Sequence, residues 1–257
     1  MTIMRFVRPL LVVMGLALAA GSAHAQEKPF TDAKKAEIGE IVKSYLMSHP
    51  ELIQEALNEL DKKQRDAEAQ AQKAAVASLS PDLIKAENGV VLGNPAGDVT
   101  LVEFFDYNCG YCKKAMADIM GLMKADPKLR VVLRDFPVLG PDSVEASKVA
   151  LAVRSQLTGA KYMEFHQKLL ESRGRIGKDR AIEVAQSLGA DPAKIEKEIE
   201  SAEIKKLLGN TMRAADQLRI GGTPAFVVAD GVIVGAVGQD ALAETIKAAR
   251  TCGKAVC

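Results

Sequence analysis

Two cysteines three positions apart, in Cys109-Gly110-Tyr111-Cys112, are the residues of this chain most clearly suited to chemistry. A Cys-x-x-Cys pair serves thiol–disulfide exchange, metal ligation or a local structural disulfide. Exchange needs a thiolate, and at the ordinary thiol pKa of about 8.5 only about 3% of a cysteine is ionised at neutral pH. A helix starting at Cys109 would change this, because free backbone N–H groups and the positive end of the helix dipole stabilise a thiolate there. Cys112 would then lie one turn further along the same face, close enough to attack a mixed disulfide, so Cys109 reads as the nucleophile and Cys112 as the resolving thiol. A zinc site would need two more ligands. The remaining candidates are His49, His166, Cys252 and Cys257, and neither histidine stands at a ligand spacing. We expect a redox pair with no metal and no other cofactor. The competing reading from a different class is a non-enzymatic protein that handles copper or another metal through the same thiols.

Three further features bear on this pair. Glu103 interrupts the apolar run Val99 to Phe105, six residues before Cys109. A carboxylate there is expected to be buried, with its pKa raised by desolvation, and able to exchange a proton with Cys112; a satisfied or exposed strand glutamate is the plainer alternative. Thr223-Pro224 follows Gly221-Gly222 and opens another apolar run, where a proline is structurally ordinary. Cys252 and Cys257 have four residues between them, including Gly253, which makes a local structural disulfide feasible. Free or metal-binding thiols are the other option.

These residues need a frame. Gly89–Gly93 reads as a short strand and Val99–Phe105 as a buried central one. A helical pattern runs from Cys109 to Lys124, and Leu129–Leu133 is a third strand, so the segment forms a βαβ unit. From Pro141 to about Leu218 the pattern is helical and punctuated by glycines. Phe226–Ala229 and Val232–Val237 flank Asp230-Gly231 as a hairpin, and Asp240–Arg250 closes as a helix. The fold class is α/β.

The N-terminal third has a different character. Arg5 and Arg8 precede an apolar run, Leu10 to Ala20, and a small-residue stretch ending at Ala25. This is the pattern of a secretory signal over residues 1–25; the run is short of the roughly 20 residues that span a bilayer. Thr31 to about Leu79 is rich in helix formers, broken only near Ser48-His49-Pro50. Ile53, Leu57, Leu60, Gln64, Ala67, Ala71 and Ala74 follow heptad spacing. Residues 26–80 are therefore expected to form a self-associating helical stalk and linker, followed by a domain at 81–257; packing of these helices on the chain's own domain is the alternative. With 34 Lys and Arg against 33 Asp and Glu, and 4% aromatic residues, nothing suggests a nucleic-acid partner.

The combination of Val102-Glu103-Phe104-Phe105-Asp106, Cys109-Gly110-Tyr111-Cys112, a helical insertion and Gly222-Thr223-Pro224-Ala225-Phe226 resembles the DsbA-like branch of the thioredoxin superfamily, over roughly Asn88 to Arg250. The resemblance implies a thioredoxin fold with an inserted helical domain (about 141–218), and Glu103 as the buried acid. It also implies that Thr223-Pro224 is a cis-proline loop facing the cysteines and, with Gly110 and Tyr111, binding substrate. The Gly-Tyr dipeptide and the Thr before Pro are similar to the periplasmic isomerase DsbC rather than the oxidase DsbA. Tyr45-Leu46 and Pro50–Leu57 resemble the N-terminal region of suppressor-of-copper-sensitivity C (ScsC) proteins. Together these imply a periplasmic disulfide isomerase or reductase acting on misfolded exported proteins, with a dithiol oxidase as the alternative. The implied partners are a DsbD-like or ScsB-like membrane reductase and further copies of the chain, a trimer before a dimer.

Overall fold

Strand β2 (Val99–Phe105) is the centre of a five-stranded sheet of order β1-β3-β2-β4-β5. The structure is a computed structural model that describes residues 30–257; the expected signal, residues 1–25, lies outside the described residues. β2 runs parallel to β3 (Leu129–Asp135), with Glu103 opposite Leu133, and helix α3 (Gly110–Ala125) provides the crossover. β1 (Val90–Gly93) pairs antiparallel with β3, β4 (Ala225–Val228) with β2, and β5 (Gly231–Val234) with β4. Both faces of the sheet are covered, which is why β2 carries apolar residues at nearly every position. Leu101 and Phe105 enter one core with residues of α3 and α9 (Gln239–Cys252), while Val102 and Phe104 enter a second.

Between β3 and β4 the helical block resolves into α4 (Pro141–Val153), α5 (Ala160–Glu171), α6 (Lys178–Ser187), α7 (Pro192–Glu198) and α8 (Ala202–Gln217). The hairpin forms one residue earlier than its sequence suggests. Val228 pairs with Gly231, leaving Ala229 and Asp230 as the turn, with Ala229 at φ +50°. Gly231 serves close approach instead of turn geometry, since a Cβ there would stand 2.4 Å from the Ala255 Cβ. The Asp230 carboxylate accepts the Ala255 N–H at 2.7 Å, drawing the C-terminal tail onto the hairpin. Within that tail Cys252 and Cys257 form a disulfide, their Cα atoms 6.2 Å apart.

The N-terminal helices are α1 (Asp32–Ser48) and α2 (Glu51–Leu83). Thr31 caps α1, its hydroxyl accepting from the Lys34 N–H, and the chain turns at His49-Pro50. By contacts the chain divides into two units, residues 1–60 and 61–257. In the first, α1 buries no residue, and Ile38, Ile41, Val42, Tyr45, Ile53 and Leu57 are exposed. In the second, the last turns of α2 join the domain: Val76 and Leu83 are buried with Val102, Phe104, Val132 and Phe136, and the Gln72 amide donates to the Leu218 carbonyl at 2.9 Å. The heptad positions Ala67, Ala71 and Ala74 stay exposed. Packing on the chain's own domain is thus what the end of α2 does, through the neighbouring stripe at 72, 76, 79 and 83, so the compact unit begins before the expected boundary at 80.

Candidate redox site

Cys109 sits in extended conformation (φ −89°, ψ 112°) as the residue that opens α3. Its carbonyl accepts the Cys112 N–H at 3.0 Å, and its own N–H donates to the Asp106 carbonyl at 3.0 Å. The sulfur therefore lies where the helix presents its free N–H groups. The Thr223 carbonyl is 3.2 Å from the Cys109 Sγ, and the Thr223-Pro224 peptide bond is cis. β4 pairs with β2, so the loop that enters β4 is brought beside the segment that leaves β2. That loop makes the sulfur less open than two cysteines at a helix start suggest: Cys109 is 8% exposed and Cys112 fully buried.

The two thiols are driven apart in acidity. Hydrogen bonding from the Cys112 side chain is the main cause that lowers the Cys109 pKa to about 5, helped by the Thr223 side chain and by the N–H groups of Cys112 and Tyr111, against the opposing effect of burial. Cys112 is pushed far above the ordinary thiol range, because it donates to Cys109, is buried and faces the charge of Glu103. Glu103 is 1% exposed, and its Oε2 has no hydrogen-bond partner among the described residues. Burial first, and the Cys109 charge second, raise its pKa to about 8. Glu103 and the two cysteines are thus one electrostatic group. Gly110 and Tyr111 lie outside it on the surface, with Tyr111 70% exposed beside the sulfur.

Sequence reasoning missed the groups that hold this turn. The buried Asp106 carboxylate accepts the N–H groups of Asn108, Val138 and Leu139, at 2.8–2.9 Å. The Asn108 side chain donates to the Ser143 hydroxyl and the Ile176 carbonyl, and accepts the Ile176 N–H. Asp and Asn two apart before a helix are the available signal, since such side chains bond nearby backbone. His166, a candidate ligand by residue type, is fully buried instead. Its Nδ1 lies 3.1 Å from the Tyr107 hydroxyl, and burial pulls its pKa down to about 3. His49 stands at the α1–α2 turn beside Glu51. Among the described residues no three His, Cys, Asp or Glu side chains are grouped as a metal site requires, and no helix is long and apolar enough to cross a membrane.

Residues 100–247 match the DSBA-like thioredoxin domain family. The chain belongs to that family. Residues 35–67 match the N-terminal domain of the copper resistance protein ScsC. Among solved structures, a thioredoxin-like oxidoreductase from Silicibacter pomeroyi DSS-3 is 40% identical, covering 66% of this chain and 96% of its own, with a TM-score of 0.63. BcfH from Salmonella enterica Typhimurium is 27% identical, covering 84% and 95%, at TM-score 0.69. Proteus mirabilis ScsC in a transitional conformation is 28% identical, covering 85% and 97%, at 0.61. A curated relative, the Na(+)/H(+) antiporter NhaA 1 of Salinispora arenicola, is 27% identical over 140 residues; the chain spans 21% of that protein's length. The match to the DsbA-like family runs from β2 to α9, so it takes in Glu103, both cysteines of the motif, the helical insertion and Thr223-Pro224.

Proposed function

We propose that this DsbA-like protein is an exported thiol:disulfide interchange enzyme that rearranges or reduces wrong disulfides in other exported proteins. The observation that carries the reading is the Cys109 sulfur at the start of α3, beside the Thr223 carbonyl, with a pKa near 5. At neutral pH such a sulfur is almost wholly thiolate. It attacks one sulfur of a client disulfide: the Cys109–client bond forms, the client S–S bond breaks, and the other client sulfur leaves as a thiolate. That thiolate, or another client thiol, can attack the mixed disulfide and return Cys109, which is isomerisation with no net redox change. Alternatively Cys112 gives up its proton and attacks the Cys109 Sγ, releasing a reduced client and leaving a Cys109–Cys112 disulfide.

Glu103 suits the second route. While Cys109 is an anion, its charge helps to keep Glu103 protonated. Once Cys109 is in a mixed disulfide that charge is gone, Glu103 ionises more readily, and it can take the Cys112 proton. Thr223 and Pro224, with Gly110 and Tyr111 at the surface, are placed to hold an extended client strand across the sulfur. Work as an isomerase requires Cys109 to be reduced, and in an oxidising compartment that calls for a membrane thiol reductase as electron donor. The Arg5–Ala25 pattern supports export to the periplasm. The exposed apolar side chains of α1 and the first turns of α2, with the ScsC-type match over 35–67, support assembly into oligomers, a trimer before a dimer. Several thiolates around one client raise their effective concentration at each wrong bond.

A second reading, dithiol oxidase, has one observation in its favour. A thiolate this stable favours the reduced protein, and so makes the disulfide form a stronger oxidant. The two readings separate in one experiment with the full-length protein. Starting reduced, it should restore activity to scrambled ribonuclease A, and Cys109→Ser should abolish this. Fast oxidation of reduced ribonuclease without recovery of the scrambled form would support the oxidase instead. Scrambled ribonuclease recovered equally by Cys109→Ser would remove both.

A further inference from the structure

Arg134 is a buried cation with no salt bridge among the described residues. It is 2% exposed and alternates with Val132 and Phe136, so it faces α2 and α8, away from the core that contains the two redox cysteines. Its Nε donates to the Thr211 hydroxyl at 3.3 Å and its Nη1 to the Asp82 carbonyl at 3.2 Å. Its Nη2 has no hydrogen-bond partner among the described residues, and no carboxylate pairs with it. Asp135 and Asp82 lend this charge some long-range electrostatic support, but neither forms a salt bridge with it. The Asp82 carboxylate is turned out to Lys85 at 2.8 Å and is 67% exposed, while Asp135 points to the opposite face of the sheet. Neutral acceptors satisfy donors but do not cancel a charge, and a buried ion without a counterion is strongly disfavoured. Burial draws even this guanidinium down to a pKa of about 10.

The Arg134 guanidinium opens on a cleft of about 360 Å³ between the last turns of α2 and helix α8. One wall is a stripe of α8, with Lys206, Asn210 and Arg213 at successive turns. Among the described residues Lys206 has no ion pair, and Arg213 donates to the Asn210 side chain alone. Four cations line the cleft (Lys85, Arg134, Lys206 and Arg213) against two carboxylates, Asp82 and Glu87. With Lys85 paired to Asp82, Lys206 and Arg213 still outnumber Glu87 at the wall, apart from the Arg134 cation at the floor.

We propose that this cleft binds a small tetrahedral oxyanion, phosphate or sulfate, as the counterion of Arg134, with Lys206 and Arg213 closing over it from α8. A planar guanidinium offers parallel donors that match two oxygens of such an anion, and the lysine adds a point charge. The bound anion would join β3, the end of α2 and α8. It lies on the other side of the sheet from the redox pair and takes no part in the exchange chemistry.

The test is a calorimetric titration of the full-length protein with inorganic phosphate, with ionic strength held constant by sodium chloride, alongside thermal unfolding in the same buffers. The expected result is one phosphate per chain, displaced by sulfate, with a saturable rise in the unfolding midpoint. Lys206→Ala with Arg213→Ala, both at exposed positions, should weaken phosphate binding at least tenfold, and Arg134→Gln should abolish it. Unfolding in chloride alone reports whether each variant is folded; should Arg134→Gln not fold, the pair of exposed substitutions decides. Equal stabilisation by chloride, or a double variant that titrates like the parent chain, overturns the site.

Discussion

Asn108 and Ile176, 68 positions apart, hold each other by two hydrogen bonds of 2.8 Å, one in each direction between the Asn108 amide and the Ile176 backbone. Asn108 is the residue before Cys109, and Ile176 lies in the segment between α5 and α6. The helical insertion is thereby fastened to the turn that presents Cys109. Asn108→Ala leaves the N–H and carbonyl of the buried Ile176 without partners, at a cost of about 1–3 kcal/mol for each group. Urea unfolding should show this loss, with Asn108→Asp intermediate because it keeps the acceptor.

The reactivity of Cys109 should follow its thiolate. The rate of alkylation by iodoacetamide is expected to rise with a midpoint near pH 5. Because the Cys112 side chain is the largest cause of the low pKa, Cys112→Ala should move the midpoint up further than Thr223→Val does. Equal midpoints near the free-thiol value in all three proteins would remove the basis of the mechanism. The same shift makes the reduced protein pH-sensitive. A depressed pKa stabilises the fold above the unfolded thiol's pKa, and that gain is lost as pH falls through 5.

Glu103 works in the opposite direction. Its pKa is raised in the folded protein, from the ordinary 4.5 to about 8. The unfolded chain releases this proton first, so stability is full below about pH 4.5 and declines as pH rises towards 8. Glu103→Gln should flatten that decline and gain stability over the parent chain at pH 8. It should also slow the attack of Cys112 on a mixed disulfide, by roughly 100-fold if general base catalysis has its usual size. Quenched-flow measurement of mixed-disulfide resolution checks this.

Two stripes of α2 should respond differently to substitution. Leu83→Ala creates a cavity against Val102 and Phe104 and is expected to cost about 2–5 kcal/mol. Ala71→Ser and Ala74→Ser lie on the exposed stripe and should change stability by less than about 0.5 kcal/mol. Ile53→Lys with Leu57→Lys should leave the thiol domain folded and turn an oligomer into a monomer by light scattering. An unchanged mass would show that this stripe is not an interface. Truncation up to residue 80 is a poor substitute for these variants, because it removes Val76 and exposes the second core.

His166 gives a further pH signature. It is buried as the neutral ring, with a pKa near 3 against the ordinary 6.5. A lowered histidine pKa contributes stability above 6.5, and this is lost as pH falls towards 3. His166→Phe should abolish that acid-side loss while costing about 1–3 kcal/mol at neutral pH, where the Tyr107 hydroxyl loses its neighbour. Denaturation curves between pH 4 and 7 resolve the two effects.

Local chemistry determined much of this protein before any contact was known. Cys109 opens a helix because a strand's apolar run stops at Asp106 and a helical period begins. β2 is central because Val99 to Phe105 is apolar on both faces, and Glu103 is buried because it shares that run. Each of these depends on neighbours a few residues away. Tertiary structure decided the rest. Which stripe of α2 docks could not be read from spacing, since two adjacent stripes both carry small or apolar residues and only the shape of the sheet selects between them. The contact of Thr223 with Cys109 spans 114 positions, and the Asn108–Ile176 and Arg134–Thr211 contacts span 68 and 77. Hydrogen bonds and desolvation act over a few ångströms in space, so the acidity of the sulfur and the burial of the Arg134 charge exist only once distant segments have been brought together.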